Sequence, residues 1–192
     1  MEIHKTTKFL ALYAGIGAAL RLLPHPPNMA AIGALALFAG AHGKNKWSLI
    51  IPLIVMGVTD FFLGFYEPGV MIAVYGTFLV MGLLGRWIRR NTSWERIVGA
   101  SFAGSVIFFL STNAAVWAFS PWYSKTIEGL MSSYALALPF FRNTLAGNLL
   151  YTASFFGLYA IVEKKLYKRV YMKFARPVPQ EIITSRKKNT FK

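Results

Sequence analysis

Hydrophobic residues along the chain occur in long runs that short polar segments separate. Six runs approach or reach the roughly 20 residues that a helix needs to cross a bilayer. The second run is short and rich in Ala and Gly, and we expect its helix to begin at Pro26–Pro27, because proline suits the first helical turn. The six runs are Phe9–Leu23, Met29–Ala41, Trp47–Phe65, Gly69–Ile88, Ile97–Phe119 and Leu145–Val162.

A further apolar stretch, 126–141, precedes the last run and is interrupted by Glu128, Ser132, Ser133 and Pro139. So weak a run favours an interfacial or re-entrant helix, with a seventh span as the alternative. The pattern therefore predicts an all-α integral membrane protein. We expect a bundle of six transmembrane helices with one extra interfacial or re-entrant helix near 126–141.

Composition supports this fold class. The 192 residues are 55% hydrophobic and only 15% charged, and the mean hydropathy is +0.46, whereas soluble domains are less apolar and richer in charge. We predict one membrane domain, 1–163, followed by a basic cytoplasmic tail, 164–192. Cysteine is absent, which excludes disulfides, thiolate metal sites and a cysteine nucleophile.

The formal net charge is +14, and the basic residues behind it are distributed according to the predicted topology. If the N-terminus is cytoplasmic, every Lys and Arg falls in a cytoplasmic segment except Arg21, Lys125 and Arg142. This asymmetry follows the positive-inside rule. It predicts a multi-pass protein of the bacterial inner membrane with both termini cytoplasmic. The lipid bilayer, and not nucleic acid, is then the partner that the basic residues imply.

Both ends of the chain allow a second interpretation. The N-terminal run could be a cleaved signal peptide, but no clear small-x-small cleavage site follows Arg21. The basic tail is expected to act as a stop-transfer anchor. Its alternative role is binding to anionic lipid head groups.

The predicted topology places most intramembrane polar residues at one depth, toward the outside. Such groups are costly in lipid and usually face the bundle interior or a water-filled cavity. The alternative is a helix-packing network, with Asp60 paired to Arg21 or Arg142. We predict a substrate-binding cavity formed by His25, Asn28, Asp60, Tyr66, Tyr75, Asn113, Trp117, Trp122, Arg142, Asn143, Asn148 and Tyr151.

Within this cluster the residue types suggest different roles. Polar groups of the ligand are expected to bind Asp60, Asn113, Arg142, Asn143 and Asn148. Aromatic side chains could stack on a planar ligand. Those nearest the polar cluster are Tyr66, Trp117 and Trp122, whereas most aromatics on this side belong to an interfacial belt.

His25 lies between Pro24 and Pro26, near the expected mouth of the cavity. Histidine is the commonest metal ligand, but a zinc site would need about three protein ligands here. No nucleotide-binding or hydrolase motif is present. The sequence therefore predicts no enzyme and no cofactor.

Small residues recur on the first helix, at Ala11, Ala14, Gly15 and Ala18. They permit close approach of another helix in lipid. That helix could belong to this bundle or to another membrane subunit. Similar small residues occur on the second and fifth helices, so both alternatives stay open.

Three strings resemble a family of small bacterial membrane proteins of unassigned function. They are RLLPHPPNMAAIGALALFAGA (21–41), VTDFFLGFYEP (58–68) and LPFFRNTLAGNLLYTASFFG (138–157). That family is similar to the substrate-binding S-components of energy-coupling-factor vitamin transporters, including a solitary cobalamin transporter. The resemblance implies a six-helix fold with an outward ligand cavity. It also implies that transmembrane and ATPase subunits of an energy-coupling module could be partners.

The sequence thus predicts a membrane transport protein of the S-component type that binds a small solute, such as cobalamin, and mediates its uptake. In the cobalamin transporter a cysteine can ligate cobalt, and this chain has none. His25 could replace it as a ligand to a substrate-borne cobalt. The alternative is a non-transporting scaffold or assembly protein that packs against partner helices.

Overall fold

The structure, a computed structural model, describes the backbone of residues 2–174 and the side chains of residues 6–165. Within these residues the chain forms six α-helices and no strand. A 3₁₀ turn, Lys46–Leu49, leads into the third helix. The helices are α1 (Glu2–Leu22), α2 (Ile32–His42), α3 (Ile51–Leu63), α4 (Pro68–Ile88), α5 (Trp94–Phe119) and α6 (Ile127–Phe174).

Four helical segments of the described chain are long and apolar enough to cross a membrane: Lys46–Leu63, Pro68–Ile88, Trp94–Phe119 and Ile127–Lys165. Many large apolar side chains on them point outward, with Phe61 71% and Ile72 75% exposed. Large apolar faces of this kind are favourable in contact with lipid and unfavourable in contact with water. The described part of the chain is therefore all-α and of the membrane class, and the count of six spans stays a prediction.

The predicted separate helix near 126–141 is wrong, because α6 runs without a break from Ile127 to Phe174. Pro139 lies inside this helix, where it removes only one backbone hydrogen bond. The two serines of this stretch form hydrogen bonds within their own helix. The Ser132 hydroxyl donates to the Glu128 carbonyl at 2.7 Å, and that of Ser133 to Leu130 at 2.8 Å.

The chain divides into two units, Met1–Gly157 and Leu158–Lys192. The predicted basic tail, 164–192, falls in the second unit. Residues 175–192 of that tail lie outside the described residues.

The centre of the first unit is the short helix α2. Its residues 32–41 are all buried, and at 11 residues it is too short to cross a bilayer alone. A Cβ on Gly40 would lie 1.9 Å from the Gly82 carbonyl oxygen, and one on Gly85 would lie 2.2 Å from that of Leu37. The backbones of α2 and α4 are therefore in contact, which only glycine permits here.

Helix α1 packs against this core through Tyr13, which is fully buried. Its ring stacks on Phe155 with centroids 4.1 Å apart, and its hydroxyl donates to the Phe155 carbonyl at 2.8 Å. The predicted docking residues lie elsewhere on α1. Ala11 and Gly15 are exposed, whereas Ala14 and Ala18 are half-buried. A Cβ on Gly15 would meet nothing within 4 Å, so this face is open at Gly15.

Candidate functional site

The loop between α1 and α2 is held in one conformation by a tight turn. The Met29 amide donates to the Pro26 carbonyl at 3.0 Å, and Asn28 adopts a positive φ of 62°. Proline followed by asparagine suits the two central positions of a type II turn. The side-chain amide of Asn143 donates from Nδ2 to the Pro27 carbonyl at 3.1 Å and links the turn to α6. The prolines thus form this turn, and α2 begins at Ile32 and not at Pro26–Pro27 as expected.

His25 is exposed beside this turn. Its Nδ1 lies 2.7 Å from the Leu23 carbonyl. A carbonyl can only accept, so Nδ1 carries the proton, and in the neutral ring Nε2 is the free acceptor. Among the described residues, no group of three or more His, Asp or Glu side chains could hold a metal ion.

Asp60 is the most buried of the predicted site residues, at 1% exposure. Its Oδ1 accepts from Arg21 Nη2 at 2.5 Å, and its Oδ2 accepts from the Tyr75 hydroxyl at 2.7 Å. Arg21 Nη1 donates to the Thr59 hydroxyl and to the Met56 carbonyl, the latter at 3.3 Å. The alternative interpretation of Asp60, an ion pair with Arg21, is the arrangement observed.

A cavity of about 410 Å³ opens beside this network, at the end of the bundle where α1, α3 and α5 finish. Five of the predicted site residues line it, and Arg21 lines it as well. Five phenylalanines, here called the aromatic wall, line it too. The polar lining consists of Arg21, His25, Asn28, Tyr66, Thr112, Asn113, Thr144 and Asn148, and the aromatic wall of Phe78, Phe108, Phe109, Phe140 and Phe141.

Asn148 joins three helices at the cavity. It is 4% exposed, and its Nδ2 donates to the Ser105 hydroxyl of α5 at 2.9 Å. Gly33 of α2 lies so close that a Cβ there would stand 2.2 Å from the Asn148 Oδ1. The small residues at 33 and 105 therefore make room for this amide.

Two polar side chains of α5, Thr112 and Asn113, bond partly to their own helix. The Thr112 hydroxyl donates to the backbone carbonyl of Phe108 at 2.7 Å, and the Asn113 Nδ2 donates to the backbone carbonyl of Phe109 at 2.8 Å. Such back-bonding satisfies donors inside a helix. The oxygens of both side chains remain able to accept from a ligand.

Tyr66 lies in the loop between α3 and α4 and lines the cavity. Burial of the phenol, followed by the nearby Asp60 carboxylate, raises the pKa of Tyr66 from 10.0 to about 12, while Arg21 acts in the opposite direction. Tyr66 therefore keeps its proton at neutral pH and can donate a hydrogen bond.

The other predicted site residues do not line the cavity. Asp60 and Tyr75 lie behind Arg21, and Asn143 holds the Pro27 turn. Trp117 ties down the α5–α6 loop, since its Nε1 donates to the Ser124 carbonyl at 2.9 Å. Trp122 is 76% exposed, Arg142 is exposed and Tyr151 is half-buried away from the lining.

The predicted site left out the aromatic wall and two threonines. The signal was helical spacing, because residues 108, 112 and 116 repeat every four positions along α5. Residues 137, 140, 144 and 148 follow a similar stripe on α6. That second stripe could be recognised only once 126–141 and the last run were known to form one helix.

Comparison with known proteins identifies one family. Curated proteins and solved structures give no match to the chain. Residues 1–174 match a family described as a family of unknown function, DUF6580. The match covers far more than half of the 192 residues, so the chain belongs to the DUF6580 family.

Proposed function

We propose that this protein binds a small solute in the cavity and mediates its uptake across the membrane, in the manner of an S-component. The observation that carries the proposal is the 410 Å³ cavity, which is lined by both polar groups and five phenylalanines. Ligand sites are typically apolar clefts of a few hundred Å³ with a few convergent polar groups.

The size of the cavity narrows the choice of solute. At about 410 Å³ it falls within the range of about 300–1,000 Å³ that is typical of clefts for drug-sized ligands. Cobalamin is much larger than the drug-sized ligands that such clefts bind. We therefore propose a smaller, amphipathic solute and assign His25 no role as a cobalt ligand.

Uptake needs an energy source or a gradient, and the chain carries no nucleotide-binding motif. The proposal therefore includes transmembrane and ATPase subunits of an energy-coupling module as partners. The exposed Ala11 and Gly15 on α1 offer a surface on which such a helix could pack closely. The proposal puts the cavity on the outer side of a bacterial inner membrane, and the positive-inside pattern supports this orientation.

Filling the cavity tests the proposal. Val74 lines it from α4, whereas Leu79 on the same helix is 39% exposed outside it. We expect native mass spectrometry of mildly solubilised protein to show a bound small molecule in the wild type and in L79W, and to show none in V74W. A bound species retained equally in V74W, or absent from all three folded proteins, would contradict solute binding in this cavity.

A scaffold role is the second candidate, and the ion pair favours it. Both carboxylate oxygens of Asp60 are used within the protein, as a packing network requires. Under this alternative V74W would fold normally, assemble normally and cause no loss of uptake in cells. Loss of uptake with intact folding favours the carrier.

A further inference from the structure

The lining of the cavity has an uneven charge. Among the described residues that line it, Arg21 carries the only fixed charge, and no Asp, Glu or Lys lines it. A charged ligand in a largely apolar cavity must find an opposite charge or lose its hydration without compensation. Arg21 is therefore the main determinant of which ligand charge the cavity favours.

The pairing of Arg21 with Asp60 does not cancel this field at the cavity. Arg21 lines the space, whereas Asp60 is 1% exposed and lies behind it. The Tyr75 hydroxyl covers the second carboxylate oxygen. The ion pair thus forms a dipole with its positive end facing the cavity.

Arg21 also has donors to spare. A guanidinium carries five N–H groups, and the structure pairs three of them, with Met56, Thr59 and Asp60. A carboxylate that approaches from the cavity can therefore accept hydrogen bonds from Arg21 without breaking the ion pair. Tyr66, which keeps its proton, supplies another donor in the lining.

The start of α2 adds to the field of Arg21. Ile32 and Gly33 line the cavity, and Ala31 before them provides no side-chain cap. The free N–H groups of a first turn carry partial positive charge. Both features have the same sign, and no described acidic side chain in the lining opposes them.

We propose that the solute is a small amphipathic monocarboxylate, with its carboxylate at Arg21 and its apolar body against the aromatic wall. The proposal rests on the proposed function and specifies its substrate class. A protonated amine would meet the guanidinium and find only neutral acceptors. One unmatched positive end suits a monoanion better than a dianion.

The charge preference can be measured without knowing the natural solute, because a single introduced cysteine can report it. The chain has no cysteine of its own that would interfere. V74C places a single thiol in the cavity lining. The probes are two methanethiosulfonates of similar size, one carrying a sulfonate and one a trimethylammonium group. The anionic-to-cationic rate ratio at V74C is divided by the same ratio for 2-mercaptoethanol in solution.

We expect this normalised ratio to be about ten, the lower end of the enrichment that a cleft of one charge sign produces. It should fall close to one in V74C/R21Q/D60N, where the ion pair is replaced by two amides. V74C/R21K keeps the charge and should keep the preference. A ratio of one or less in V74C alone overturns the carboxylate assignment and does not depend on whether the triple variant folds. An anionic preference that survives in the triple variant overturns the assignment to Arg21.

The failure of this inference can be distinguished from failure of the proposed function. If both reagents modify V74C at the ratio of the free thiol, the cavity admits solutes but does not select anions, and only the inference fails. If neither reagent modifies V74C, the cavity is closed to solutes and both fail.

Discussion

The network of Arg21, Asp60 and Tyr75 connects α1, α3 and α4 at the edge of the cavity. A buried carboxylate is tolerated when its oxygens are paired and bonded, as both are here. Removal of the Asp60 carboxylate would leave the Arg21 guanidinium, which is 15% exposed, without its counter-ion. Asp60 and Tyr75 therefore fix the position of Arg21 and do not themselves line the cavity.

We expect D60A to lower the free energy of unfolding by about 3–5 kcal/mol, the usual cost of breaking a buried pair on one side. Y75F removes one hydrogen bond to a charged group and should cost about 1.5–3 kcal/mol. Denaturant unfolding in detergent measures both. R21Q/D60N serves as the control and should cost less than D60A. An unchanged stability of D60A would show that the pair is not structurally important.

The element that organises the molecule is α2, which is too short to span a bilayer alone and is enclosed on all sides. Its approach to α4 depends on glycines at which a side chain has no room. Its glycine and alanine content was visible in the sequence. Its pairing with α4 was not, because composition does not specify which helix faces which.

A matched pair of glycine substitutions on α4 tests this contact. At Gly85 a Cβ would lie 2.2 Å from the Leu37 carbonyl oxygen, whereas at Gly76 it would meet nothing within 4 Å. We expect G85A to abolish folding or cut the thermal midpoint sharply. G76A should be neutral or stabilise by up to about 1 kcal/mol, because alanine is the better helix former. Equal midpoints for the two variants would contradict backbone contact between α2 and α4.

At the scale of the whole molecule, hydropathy predicted the all-α membrane class and the end of the bundle where polar residues gather. His25, Asn28, Tyr66, Asn113 and Asn148 do line a common cavity. Hydropathy alone could not predict which of the other residues line the cavity, because lining depends on the rotation of each helix about its axis. That rotation turns Asp60 toward Arg21, and Trp117 toward the Ser124 carbonyl.

Topology is tested with single cysteines in intact spheroplasts. Trp122 and Thr92 are both exposed and lie in loops at opposite ends of α5. We expect a membrane-impermeant maleimide to label W122C from outside and to leave T92C unlabelled until the cells are lysed. The reverse pattern would place the cavity on the cytoplasmic side and contradict uptake from outside.

The central claim is that the cavity holds a small solute. An experimental density map of the purified protein, extracted in mild detergent, tests it most directly at the space between Arg21, Asn113 and Asn148. We predict non-protein density of small-molecule size there, with its polar end at Arg21. A cavity closed by Phe108 and Phe141, or one that holds only separate ordered waters, would contradict it.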